Sequence, residues 1–86
     1  MTKFTYTIQD AQGLHMRPAG QLAREAAACG CNVTIEKTGS SAVDAKSVFS
    51  IMRLGVRSGE KVTVCCTGAD EEAATAKLDD FFRSTL

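Results

Sequence analysis

The chain has no tryptophan, one proline (Pro18), one tyrosine (Tyr6) and one histidine (His15) among 86 residues. It also has no excess of charge: Lys and Arg number 10, Asp and Glu number 10. A zero balance excludes the basic footprint of a nucleic-acid binder, so no direct nucleic-acid partner is expected. No apolar run is long enough to span a membrane, and no membrane insertion is expected. The opening Met1-Thr2-Lys3-Phe4-Thr5-Tyr6-Thr7 lacks the apolar core of a signal peptide. A cytoplasmic location with reduced thiols is therefore expected. The spacings of Cys29-Gly30-Cys31 and Cys65-Cys66 do not match the two-residue spacing of zinc knuckles. These four cysteines are expected to be small buried hydrophobes, and no metal or cofactor is expected.

The apolar fraction is 44%, as in an ordinary folded domain and well clear of disorder. The length allows one domain, residues 1–86. Residues 3–8 alternate, with Phe4, Tyr6 and Ile8 on one face and Thr5 and Thr7 on the other, which predicts a strand. From about Met16 to Cys29 the segment is rich in alanine. Ala19, Leu22, Ala23 and Ala26 form a helical stripe, and Gly30 is expected to end it in a left-handed cap. Residues 31–37 alternate again, with Val33 and Ile35 inward, and residues 41–43 suggest a short returning strand. Ser47 is suited to cap a short helix reaching Leu54, stopped by Gly55. Lys61 to Thr67 is the most regular strand, with Val62, Val64 and Cys66 on one face. Asp70, Glu71 and Glu72 open a last helix whose apolar side is Ala74, Leu78, Phe81 and Phe82. The order β-α-β-β-α-β-α, with two-faced strands, predicts a two-layer α+β fold: an antiparallel sheet covered by helices on one side.

The lone histidine stands in Gly13-Leu14-His15-Met16-Arg17-Pro18-Ala19. Pro18 is tolerated only in the first turn of a helix, which puts His15 close to the N-cap. Gly13 allows a tight turn into that position. The free N–H groups and partial positive charge of a helix start form a ready anion site. Arg17 can add a forked, charge-assisted contact to a phosphate. A neutral imidazole nitrogen held there can act as a nucleophile toward a phosphoryl donor.

Gly13 to Ala19 closely resembles the active-site motif of the HPr family. A second segment, Lys46-Ser47-Val48-Phe49-Ser50-Ile51-Met52-Arg53-Leu54-Gly55, resembles that family's regulatory segment. Length and element order are similar too, so the resemblance covers essentially the whole chain. It implies an open-faced β-sandwich, a four-stranded antiparallel sheet covered on one face by three helices. It implies a carrier rather than a catalyst. His15 would accept a phosphoryl group at Nδ1 from phosphorylated Enzyme I and pass it to IIA domains of sugar permeases, and Arg17 would steady the group. Two departures stand out. Met16 occupies a position where the family usually has Ala, and Gln12 one where Asn or Ser is frequent; Gln12 leaves room for a polar contact to the imidazole, with less defined geometry than a shorter side chain.

Ser47 matches the serine that similar proteins present to HPr kinase/phosphorylase, and whose phosphorylated form binds catabolite control protein A. Phosphate there would add nearly two negative charges at a helix start, where the dipole tolerates them, and would weaken docking to Enzyme I. Ser47 as a plain N-cap is the simpler alternative. Val48, Phe49 and Met52, rimmed by Met16, Arg17, Arg24, Lys46 and Arg53, form the candidate partner-docking surface; Val48 and Phe49 are expected outward, Ile51 and Leu54 inward. A monomer suits a protein that visits several partners. Two other classes stay open: a regulatory paralogue acting only through Ser47, although such paralogues lose the histidine that is present here, and a metal-binding domain using His15 with the thiols. The second needs proximity, yet Cys29 and Cys31 lie about 20 Å away along the first helix.

Overall fold

In the computed structural model, which describes residues 1–86, the alternation in the chain becomes a sheet with one open face. Its strands are β1 (Thr2–Thr7), β2 (Asn32–Lys37), β3 (Val43–Asp44) and β4 (Lys61–Thr67). All pair antiparallel, in the order β1-β4-β2-β3. The register puts Phe4 opposite Val64, Tyr6 opposite Val62, and Ile35 opposite both Val64 and Val43. A period of two therefore gathers these side chains on one face, with Lys3, Thr5, Thr34, Glu36, Thr63 and Cys65 on the other.

The apolar face is covered by α1 (Met16–Ala27), α2 (Val48–Arg53) and α3 (Glu71–Thr85). Alanine supplies α1 with the best helix former, and Ala19, Leu22, Ala23 and Ala26 form its buried stripe. Ser47 caps α2: its Oγ accepts the Ser50 N–H at 3.2 Å, worth about 1 kcal/mol. Gly55, at φ +62°, stops that helix in the left-handed region. α3 lies across β1 and β4 and seats Phe82 in the core with no exposed surface. Phe4, Tyr6 and Phe81 meet the Phe82 ring edge-on, with centroids 5.6, 5.6 and 5.8 Å away. This is the open-faced sandwich that the resemblance implies.

Four local expectations are corrected. α1 ends at Ala27 rather than Cys29, and Ala28, not Gly30, caps it in a right-handed conformation. Gly30 is not left-handed; its N–H donates to Asp70 Oδ2 at 2.8 Å, so a side chain 40 residues away takes up a donor beyond the helix. The returning strand is Val43–Asp44, not 41–43, because only these residues reach the β2 register. Cys29, Cys31 and Cys66 are buried hydrophobes, but Cys65 lies on the open face and is half-exposed.

Two contacts join the covering layer to the loop after β1. The Leu86 carbonyl oxygen accepts the N–H of Gln9 at 2.7 Å and of Asp10 at 2.9 Å. Leu86 itself is buried. The end of α3 is thereby tied to the segment that leads into α1.

Candidate functional site

The loop from Asp10 to Leu14 is held tightly. Gly13 N–H donates to the Asp10 carbonyl at 2.9 Å, and Leu14 N–H to the Val56 carbonyl at 3.1 Å. Gly13 adopts φ +71°, and Leu14 is buried as an anchor. The chain then enters α1 with His15 as the N-cap residue, in extended backbone at φ −87° and ψ −176°.

Pro18 sits in the first turn, as its missing N–H demands, and is buried. The first helical bond runs from Ala19 N–H to the His15 carbonyl, 2.9 Å. The backbone N–H groups of Met16 and Arg17 find no acceptor within the chain, and no acidic side chain stands in the first turn. No acidic residue of α1 itself therefore offsets the positive end of its dipole beside His15.

The His15 side chain is 35% exposed, and its Nε2 lies 3.6 Å from Asp10 Oδ2. Its Nδ1 makes no hydrogen bond within the chain. Both side chains line a shallow depression of about 360 Å3 with Arg17, Pro18, Gln21, Ser84 and Thr85. Apart from Pro18 every lining residue is polar or charged. Arg17 is exposed and enters no ion pair. The site thus offers a free ring nitrogen, free N–H donors and an uncommitted guanidinium, open to a large partner. That combination suits a transiently held oxyanion.

Gln12 does not reach the imidazole. Its backbone N–H donates instead to Asp10 Oδ1 at 2.9 Å, in an Asx turn, and its side chain is exposed. Asp10 occupies the place that sequence reasoning gave to Gln12. The Asp-x-x-Gly pattern of Asp10 to Gly13 is a turn signal, the one sequence feature that points to a carboxylate fixed in place.

Ser47 is half-buried at the start of α2, which packs beside α1. Met16 and Phe49 are 68% and 75% exposed and Val48 is also outward, whereas Ile51 is fully buried. Met52 and Leu54 are half-buried against the core, so neither projects as Phe49 does. Arg24, Lys46 and Arg53 are exposed. The thiols of Cys29 and Cys31 lie beyond the opposite end of α1 from His15.

A family model described as PTS HPr component phosphorylation site matches residues 2–84. The chain belongs to the PTS HPr family. It is 37% identical over 84 residues to the phosphocarrier protein HPr of Borreliella burgdorferi, covering 98% of this chain and 96% of that one. A solved histidine-containing phosphocarrier protein from Mycoplasma superposes with a TM-score of 0.93 at 31% identity, over 98% of this chain and 94% of the other. A crystal structure of HPr from Thermoanaerobacter tengcongensis gives 0.91 at 37% identity, over 98% and 93%. An HPr is a phosphocarrier of the phosphotransferase system and not a catalyst in its own right. No helix of this HPr is long and apolar enough to cross a membrane.

Proposed function

We propose that His15 is the phosphoryl acceptor, taking the group at Nδ1 from phosphorylated Enzyme I and handing it to IIA domains of sugar permeases. The observation that carries this is the position of His15: N-cap of α1, ring partly exposed, with the unpaired Met16 and Arg17 N–H groups following it. The Nδ1 lone pair attacks phosphorus, and the bond from phosphorus to the donor breaks with its electron pair. Arg17 and the helix start hold the phosphoryl oxygens while the group resides there. Pro18 keeps the helix start in place without adding a competing donor. Nothing encloses the site, so the group remains transferable.

Met16, Val48 and Phe49 form the apolar part of the docking surface, with Arg24, Lys46 and Arg53 at its rim. Ser47 is the proposed regulatory phosphorylation site, for HPr kinase/phosphorylase, with catabolite control protein A as reader of the modified form. Its place at the N-cap of α2 supports this, since the helix start tolerates added negative charge. The same charge would oppose Enzyme I docking.

The test is intact-mass spectrometry after incubation with phosphoenolpyruvate and Enzyme I, for the wild type and His15→Ala. One acid-labile phosphate on the wild type and none on the variant is the expected result. An uncharged wild type, with an Enzyme I active on another HPr, overturns the assignment.

A further inference from the structure

We propose that Asp10 is a positioning residue for His15, holding the Nε2–H so that the Nδ1 lone pair faces the phosphoryl donor. The inference rests on the assignment of His15 as acceptor.

Asp10 is fixed by its surroundings. Its N–H donates to the Leu86 carbonyl at 2.9 Å, and its own carbonyl accepts the Gly13 N–H at 2.9 Å. Its Oδ1 accepts the Gln12 N–H at 2.9 Å. The Asx turn uses one carboxylate oxygen, and the other, Oδ2, is left 3.6 Å from His15 Nε2. That gap is longer than a hydrogen bond, and such contacts in a free protein tighten when the partner is bound.

The chemistry explains why a carboxylate belongs beside a site that receives an anion. A carboxylate accepts only, so it selects the tautomer in which Nε2 carries the proton. Nδ1 is then unprotonated and nucleophilic. As Nδ1 gives its pair to phosphorus the ring becomes cationic, and the charge is shared with the Nε2–H that faces Asp10. On transfer to the recipient the Nδ1–P bond breaks, phosphorus leaves, and the pair returns to the ring with no proton gained or lost. The other charged side chain lining the depression is Arg17; α3 contributes only the neutral Ser84 and Thr85.

Asp10→Asn separates positioning from folding. The amide keeps an oxygen for the Gln12 N–H and turns its NH2 toward the imidazole, reversing the sense of the contact. Nitrogen-15 NMR of the neutral His15 ring should show the Nε2–H tautomer in the wild type and a shift toward Nδ1–H in the variant. Charging by Enzyme I should fall about tenfold in kcat with KM unchanged, in the range seen when a carboxylate that orients a functional histidine is removed. Asp10→Glu should restore part of the rate. Unaltered tautomers and kcat in Asp10→Asn, or a change confined to KM, overturn the proposal while leaving His15 as the acceptor. A wild type that takes no phosphate removes the His15 assignment instead, and the tautomer measurement on the uncharged protein still tests the Asp10 contact.

Discussion

Gly13 packs against Val56 so closely that a Cβ built on Gly13 would stand 2.5 Å from the Val56 carbonyl oxygen. The same oxygen accepts the Leu14 N–H, so it has no freedom to withdraw. With φ at +71° besides, Gly13→Ala is expected to cost about 1–3 kcal/mol, measured by urea denaturation. A loss under about 0.5 kcal/mol would mean that the loop into His15 is far more adaptable than its hydrogen bonds imply.

Phe82 is the largest fully buried side chain and the shared partner of Phe4, Tyr6 and Phe81. Truncation to alanine should cost about 3–5 kcal/mol from lost burial and the cavity left behind. For a domain with total stability of about 5–10 kcal/mol, that is a large part of the whole. Circular dichroism during denaturation measures it, and a cost below about 2 kcal/mol would contradict the central place of this ring.

Asp70 makes stability depend on acid. The Gly30 N–H, and after it the Cys31 thiol, hold its carboxyl below the ordinary value of 3.8. Glu71 is lowered too, first by the N-terminal ammonium and then by the Gly68 N–H. A carboxyl that ionises more readily when folded adds stability above its unfolded pKa, and that stability is lost as pH falls through the folded value. Stability should therefore drop from about pH 4 downward. Asp70→Asn should be less stable than wild type at neutral pH and show a shallower acid slope. Parallel curves for the two proteins would refute the assignment.

The thiols should differ in reactivity. Burial, and then Asp70, push the Cys31 thiol up to about 11, and burial raises Cys29. Cys66 is fully buried, while Cys65 is half-exposed on the open sheet face. Brief alkylation of the native protein at neutral pH should label Cys65 first and leave Cys31 unlabelled by peptide mass mapping. Early labelling of Cys31 would show that the end of α1 opens readily.

Much of this structure is legible in local pattern. Alternation about Phe4, Val33 and Val62 sets the strands, and Pro18 alone is enough to put His15 beside a helix start. What is not legible depends on pairs distant in the chain. Asp70 meets Gly30 across 40 residues, and no local rule distinguishes a glycine serving that contact from one serving as a helix cap. The edge strand β3 is two residues long, too short for periodicity to place, so its register comes from β2. That Asp10, rather than Gln12, is the ring's neighbour is not legible because the direction of a side chain in a loop is decided by the turn: the Gln12 N–H binds Oδ1 and leaves Oδ2 facing the ring.

His15 is a lone ring lining one shallow depression, with no second histidine anywhere in the chain. On the proposed assignment of His15 as acceptor, a donor and a recipient that each must reach this atom cannot be seated together. Charging and discharging are therefore separate encounters, related as competitors for a single berth. In a mixture of both partners, an excess of uncharged recipient should slow loading as an ordinary competitive inhibitor, and throughput should peak at an intermediate ratio of the two.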